Sequence, residues 1–534
     1  MAHPAHLRAA TVLAALLTLT LSVLHYPRPL HTAAASTSMT GTYQLVAAQG
    51  REGVELAHEY QDVLVVGDKT YALKLHSGAR PPSGTTVHVS GTKSGSTVEA
   101  DSLTTGGTAA TSTATAAKTQ KLTRVLVILA TWNSPDAVTP AQAVQQVGSD
   151  DGAWLADTSY GEMGLSATAT PWLHISGPDG GRCWANQSQI MDQAKSAAAG
   201  AGFGAAAYDR TMLYFPHADD SDCAGYGGWS YQPGTDIWIN GMMDRRTTVH
   251  ELGHAMGLMH ASSLSCTAAG TPVPLSSTCT TDVYGDATDA MGSSGYAAQY
   301  SAIAKDRMGW LAGRTADLTN GGTANLAPMA GNTTGTVAAT IKAGARTYYL
   351  EYRKPVGEDA TLPGGLAAGA VVHVVDPSIA PNSLLLDMTP GGNVLDAALL
   401  PGHAWVTPEG TTIRVGRPVD GRLPVSVSRT AQDVTPPAAV TGLTAKVVSG
   451  KVSLSWTKPG SDAAAVEVRK MSSSYDASCV ACADVYTGTK TTATAPASAL
   501  RMLTFTVSAR DAAGNVSPSR WVTLVGTRIS SKSV

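Results

Sequence analysis

The stretch His250-Glu251-Leu252-Gly253-His254-Ala255-Met256-Gly257-Leu258-Met259-His260 decides how this chain is read. On a helix, His250 and His254 are one turn apart and share a face, so both imidazoles can reach one metal ion. Glu251 points to the side of that pair and can hold a water without ligating the ion. Gly257 can take the positive φ at which a helix stops and the chain turns back. That turn brings His260 round as a third nitrogen ligand. Three protein ligands leave one position open, the arrangement of a catalytic rather than a structural zinc. A bare HExxH arises by chance in roughly one chain per hundred of this composition, and adding Gly257 and His260 lowers that to about a few per hundred thousand. The bland alternative, an amphipathic helix whose histidines are ordinary polar groups, is therefore the weaker reading.

The pattern HExxHxxGxxH resembles the metzincin metallopeptidases, which also carry a tight turn that sets a methionine under the metal. Tyr284-Gly285-Asp286-Ala287-Thr288-Asp289-Ala290-Met291-Gly292 is similar to that turn, with Met291 as its methionine. The rival reading of Met291 is a core residue filling a gap. Further segments resemble the gametolysin family: Cys223-Ala224-Gly225-Tyr226-Gly227-Gly228-Trp229, Ile237-Trp238-Ile239-Asn240-Gly241, Tyr284-Gly285-Asp286 and Met308-Gly309-Trp310-Leu311. Thr158-Ser159-Tyr160-Gly161 is similar to a segment near the start of that catalytic domain. The resemblance covers about residues 122–430 and is strongest between 220 and 311. It implies a secreted zinc endopeptidase with His250, His254 and His260 on the metal and Glu251 as general base. It also implies protein or glycoprotein substrates of a wall or matrix. Some metzincins use a tyrosine two residues after the methionine as a ligand or oxyanion stabiliser. That position is Ser293 here, and Tyr296 is the nearest aromatic hydroxyl.

With 534 residues the chain is too long for one ordinary domain. A net charge of -3 and the lack of any basic block argue against nucleic acid as a partner. Met1 to Ala35 reads as a secretory signal, with Arg8, an apolar Ala9 to Val23, and Ala33-Ala34-Ala35 before Ser36. The apolar run is short for a membrane span, and an uncleaved anchor is the lesser alternative. The expected mature protein is exported, extracellular and free of membrane. Its six cysteines, an even number, then favour disulfides. The simplest pairing is sequential: Cys183 with Cys223, Cys266 with Cys279, Cys479 with Cys482. Other connectivities stay open.

Residues 36–103 alternate in short apolar runs such as Val63-Leu64-Val65-Val66 and read as a small β domain, with a compact OB-like barrel as one form. The family resemblance implies a propeptide. No cysteine precedes residue 183, so latency by a cysteine on the zinc is excluded, and another ligand or steric cover is needed. The rival is a retained binding module. Thr/Ala/Gly-rich residues 104–121 read as a flexible linker, with Lys118, Lys121 and Arg124 open to a processing protease.

Residues 122–311 form the expected catalytic domain. Its strands are Arg124 to Ala130, Thr211 to Phe215 and Asp236 to Asn240. Its helices are Pro140 to Val147, capped by Thr139, and Ser188 to Ala199. Thr247 or Thr248 is expected to cap the zinc helix. A metzincin substrate lies along an edge strand, which the sequence does not identify. Asp219, Asp220 and Asp222 offer oxygens to Ca2+, but not at EF-hand spacing, and read as a solvated loop. Residues 312–430 suggest a β-sandwich, with His373, Asp376, Asp387 and His403 as structural polar groups.

Thr435-Pro436-Pro437 marks a stiff boundary. Residues 435–528 resemble a fibronectin type III domain, with Val452-Ser453-Leu454-Ser455-Trp456 as its second strand. Phe505 to Asn515 would be the late strand and its turn. Such a domain can act as a spacer or contact polysaccharide. The expected fold class is multidomain α+β: a metzincin-like zinc peptidase domain flanked by an N-terminal small β domain and C-terminal β-sandwich domains. Two rival functions are an adhesion protein on a peptidase scaffold and a zinc hydrolase of another bond.

Overall fold

The computed structural model describes residues 35–51, 60–67, 69–76, 80–105, 121–218, 222–292, 298–331, 333–457, 459–471, 482–497, 502–525 and 528–532. Residues 1–34 of the signal, the linker from 106 to 120 with Lys118, and Asp219, Asp220, Ser293, Tyr296 and Cys479 lie outside these. Within them the chain is multidomain and mostly β, with few helices. The α-helices all fall between residues 140 and 307, inside one domain.

The N-terminal domain has five strands: β1 (Ala35–Gly50), β2 (Tyr60–Val66), β3 (Lys69–Leu75), β4 (Thr86–Ser94) and β5 (Thr97–Thr105). They close into a ring in the order β1-β2-β3-β5-β4-β1, with β3 parallel to β5 and the other pairs antiparallel. That is a small barrel of OB type, and its alternating inward residues, Tyr43, Leu64, Leu73, Val87, Val89 and Val98, fill it. The long strand β1 then leaves the ring and pairs with the next domain.

That domain is built on β6 (Lys121–Thr131), β7 (Met163–Ala169), β8 (Leu173–His174), β9 (Arg210–Phe215), β10 (Tyr226–Tyr231) and β11 (Asp236–Asn240). The order is β10-β11-β9-β6-β7, parallel except for β10, which runs antiparallel to β11. The run Val125-Leu126-Val127-Ile128-Leu129-Ala130 is wholly buried. Strands covered on both faces read as continuous apolar runs, as this one does. Lys121 lies in β6 rather than in the linker, and Arg124, in the expected strand, is paired with Asp209 at 3.1 Å.

Thr139 caps α1 (Pro140–Val144) in a capping box with Gln142. A wide turn over Gln145–Asp150 then carries the chain into α2 (Asp151–Thr158), so the helical stretch is longer than Pro140 to Val147. Glycines cost helix stability, yet Gly148 and Gly152 stand in this helical stretch. In the fold they let this stretch lie against β7, since a Cβ at Gly148 would sit 3.1 Å from the Ala167 nitrogen. Further on lie α3 (Gln187–Gly200), α4 (Arg245–Ala255), β12 (Ala261–Ala268) and α5 (Ala302–Arg307).

One apolar core lies between the sheet and α2, α4 and α5, and a second lies on the face carrying α3. The Cys183–Cys223 disulfide is buried in the second. Strand β12 departs directly from the turn that carries His260 and pairs in parallel with Ala380–Leu386. Its hairpin is closed by the Cys266–Cys279 disulfide. Residues 261–282, read from the sequence as catalytic, are therefore part of the following domain's sheet. That domain packs this sheet on a four-stranded one around Leu326, Leu350, Val372 and Ile413.

The C-terminal domain has a three-stranded and a five-stranded sheet around Trp456 and Phe505. Cys482 is disulfide-bonded. Among the described residues no helix is long and apolar enough to cross a membrane.

Candidate metal centre

Helix α4 is started by Asp244, whose side chain accepts the Thr247 N–H at 2.9 Å. The expected caps Thr247 and Thr248 both lie inside the helix, and the Thr248 hydroxyl instead donates to buried Asp151 at 2.6 Å. Asp244, three residues before Thr247, has the β-region φ of -134° that a cap needs, so the helix starts there. The helix ends at Met256 and Gly257, where φ is +99°. The chain then turns back, as expected, and delivers His260.

His250, His254 and His260 converge, with one nitrogen from each within 4.8 Å of the others. All three are fully buried, as is Glu251. His250 Nδ1 lies 2.9 Å from the Ala290 carbonyl, and His254 Nδ1 lies 2.8 Å from the Leu258 carbonyl. A carbonyl only accepts, so each Nδ1 carries the proton and each Nε2 is left with a lone pair. The His250 Nε2 has no hydrogen-bond partner, and the His254 and His260 Nε2 atoms face each other at 3.0 Å.

Adding a proton to this cluster is opposed. Burial pushes His250 down to about 4. Burial first, and neighbouring histidines second, hold His254 and His260 well below the usual imidazole range. Buried, neutral imidazoles whose ring nitrogens converge fit a cation. The group can hold a metal ion, and the nitrogen-only donor set with ring orientations fixed by backbone carbonyls suits a divalent transition metal.

Glu251 follows His250 on α4 and turns toward β10. Burial raises its carboxyl well above the usual range, while the Ser230 hydroxyl and the Gln49 backbone N–H favour its anion. Ser230 Oγ donates to the Glu251 backbone carbonyl at 3.0 Å. Gly228 is small for a reason: a Cβ there would lie 2.8 Å from Glu251 Cγ and 2.9 Å from the Trp238 carbonyl oxygen.

Met291 is buried beneath the centre. Its sulfur would lie 2.3 Å from a Cβ on Gly253, and its carbonyl accepts the Ala261 N–H at 2.9 Å. Its turn is held by Asp289, which accepts the Met291 and Ser301 N–H groups at 2.8 and 2.9 Å. Asp286 also braces it, paired with buried His373 at 2.8 Å. His373 is thus a structural partner, as are Asp376, held by Arg346 at 2.6 Å, and Asp387, which accepts the Thr389 N–H. The His403 ring meets the Pro401 carbonyl at 3.4 Å. Asp222, from the acidic cluster read against Ca2+, accepts the Trp184 N–H at 2.8 Å. The three histidines are the one metal-capable group among the described residues.

Two tyrosines at the centre escaped the sequence reading. The Tyr284 ring lies 4.2 Å from that of His260, and the Tyr60 ring lies 4.9 Å from it on the N-terminal domain's β2. The Tyr60 hydroxyl accepts the His260 backbone N–H at 2.8 Å. Tyr284 stands in the quoted lead-in to Met291, so its neighbourhood was legible and its role was not. Tyr60 carried no signal, because only tertiary structure joins residues that far apart.

No family model matches this chain, and no curated protein does. Among solved structures, catalytically inactive OgpA from Akkermansia muciniphila, in complex with an O-glycopeptide, is 9% identical with a TM-score of 0.19. The match covers 79% of this chain and 97% of that one. A human fibronectin type III domain is 18% identical with a TM-score of 0.14, over 18% of this chain and 92% of that one. For the spore cortex lytic enzyme SleM of Clostridium perfringens the identity is 18% and the TM-score 0.15. That match covers 21% of this chain, which spans only 38% of the SleM chain.

Proposed function

We propose that this chain is a secreted zinc endopeptidase of the metzincin type, similar to the gametolysin family. The observation that carries the reading is the set of three converging, buried imidazoles beside the Glu251 carboxylate. His250, His254 and His260 would hold the ion. Zinc supplies Lewis acidity there, lowering the pKa of water to about 7 and polarising a carbonyl.

Everything else falls to the chain. Glu251 takes a proton from the attacking water and delivers it to the leaving nitrogen. The carbonyl–nitrogen bond breaks, leaving a carboxyl group and an amine. Burial of Glu251 keeps bulk water away from that transfer. With β1 displaced, β10 would offer its main-chain groups to an extended peptide. Substrates are extracellular or wall proteins and glycoproteins. Export fits the disulfides.

The test is hydrolysis of casein by zinc-loaded protein beside Glu251→Gln. The substitution keeps the metal and the fold and removes the proton carrier. Hydrolysis is expected to fall by about two to four orders of magnitude at unchanged zinc content. Retained hydrolysis would exclude the role of Glu251.

A further inference from the structure

The cleft beside Glu251 is filled by the chain's own N-terminal domain. The end of β1 lies antiparallel along β10, in the register Val46 to Tyr231, Ala47 to Ser230, Ala48 to Trp229 and Gln49 to Gly228. The Gln232 N–H donates to the Leu45 carbonyl at 2.8 Å and the Arg51 N–H to the Gly225 carbonyl at 3.0 Å, which extend the pairing at both ends. Without β1, β10 would be the free edge of its sheet. An extended peptide adds to such an edge through main-chain hydrogen bonds.

One peptide unit of this strand is engaged at both of its polar groups. The Ala48 carbonyl accepts the Tyr284 hydroxyl at 2.8 Å. On the other side of the same bond, the Gln49 N–H faces the Glu251 carboxylate. Tyr284 is held for this contact. Its N–H donates to Asp282 Oδ1 at 3.2 Å, and Gly285 presses so close to Ser263 that a Cβ would lie 2.0 Å from the serine hydroxyl. Hydrolysis of an amide needs a donor aimed at the carbonyl oxygen, where negative charge develops, and a proton carrier at the nitrogen. Ala48–Gln49 meets both.

We propose that residues 46–50 stand in the place of a bound substrate, with the Ala48–Gln49 peptide at the reaction centre, and that Tyr284 is the catalytic residue that binds the reacting carbonyl oxygen. The proposal rests on the peptidase reading. It gives the N-terminal domain its means of latency without a cysteine, since the domain covers the centre with Tyr60 and fills the substrate strand. It also supplies the carbonyl donor that the position of Ser293 does not.

The test uses the full zinc-loaded chain in two arms. In the first, a Pro-Leu-Gly hydroxamate is added and deuterium uptake is read at residues 46–50. Uptake is expected to rise at least about tenfold as the strand is displaced. Unchanged uptake with the hydroxamate bound overturns the placement of the strand. In the second, Gln49→Pro removes the N–H facing Glu251 and cannot pair with β10. Casein hydrolysis is expected to rise at least about tenfold over the wild type, and it does so even if the N-terminal domain unfolds. An unchanged rate again overturns the placement.

Within Gln49→Pro, adding Tyr284→Phe is expected to lower kcat by about a hundredfold, with KM, zinc content and Tm unchanged. An unchanged kcat, or a fall that tracks lost zinc or a lowered Tm, overturns the role of Tyr284. Activity that survives Glu251→Gln in the same background, or its absence from every form with zinc bound, instead defeats the peptidase reading, and this proposal falls with it.

Discussion

At the scale of single residues, the centre depends on where side chains are missing as much as on where they are present. Gly253 sits between His250 and His254 on α4, and a methyl there would meet the Met291 sulfur at 2.3 Å and the Tyr300 hydroxyl at 2.9 Å. Tyr300 cannot easily yield, because it is fully buried and donates to the Val249 carbonyl at 2.7 Å. Gly253→Ala is therefore expected to destabilise by about 1–3 kcal/mol through overpacking, although alanine is the better helix former. Urea denaturation measures this, and a stabilised variant would show that the turn of Met291 is loosely packed. The convergence of the three histidines was legible, because His250, His254, Gly257 and His260 lie within one local segment whose geometry follows from helix periodicity. Asp244 was legible as a cap and was passed over for the threonines that follow it. Tyr60 and Tyr284 act through contacts that no spacing encodes.

At the scale of elements, α5 anchors the turn of Met291 from behind. Lys305 on α5 is fully buried, and its ammonium donates to Gln299 at 2.5 Å and to Tyr160 at 3.2 Å. Burial first, and the charge of Arg353 second, push it down to about 7, against the pull of Asp359 and Glu351. Between about pH 7 and the unfolded lysine value near 10.4, the unfolded chain binds more protons than the folded one. This group therefore makes stability rise with pH across that window. Lys305→Met is expected to remove that rise, so the gap in unfolding free energy between variant and wild type should change from pH 7 to pH 9. A gap independent of pH would mean that the lysine stays charged when folded. The start of α1 was readable from its Thr139 cap, and α3 lies close to the expected stretch, whereas α2 and α5 were not expected. The continuation through Gly148 and Gly152 was not readable, because those glycines are chosen for contact with β7, a strand still to come in the chain.

At the scale of the whole molecule, the domains share walls rather than standing in a row. Strand β1 belongs to the N-terminal barrel and also to the sheet beside the metal, and β12 leaves the metal loop for the next domain's sheet. A reading by linkers and composition assigns each segment to one domain and cannot see such exchanges, which depend on pairing between distant strands. The joint between the metal turn and the following domain is a buried charged cluster. His373 pairs with Asp286, and Arg353 holds Glu351 at 3.1 Å, Asp359 at 2.7 Å and the Thr288 carbonyl at 2.6 Å.

Removing one partner of such a buried pair leaves a charge without compensation. His373→Leu, which strands Asp286, is expected to cost about 3–5 kcal/mol and to loosen the turn that carries Met291. Thermal melting with and without zinc reads both effects, and an unchanged Tm would place no weight on the joint. The central claim is that the three histidines bind one metal ion. Equilibrium dialysis of the full chain against zinc, followed by elemental analysis, tests it most directly. The account predicts one zinc per chain, lost in His250→Ala, His254→Ala and His260→Ala alike; a wild-type chain without zinc, or zinc retained in all three variants, would contradict it.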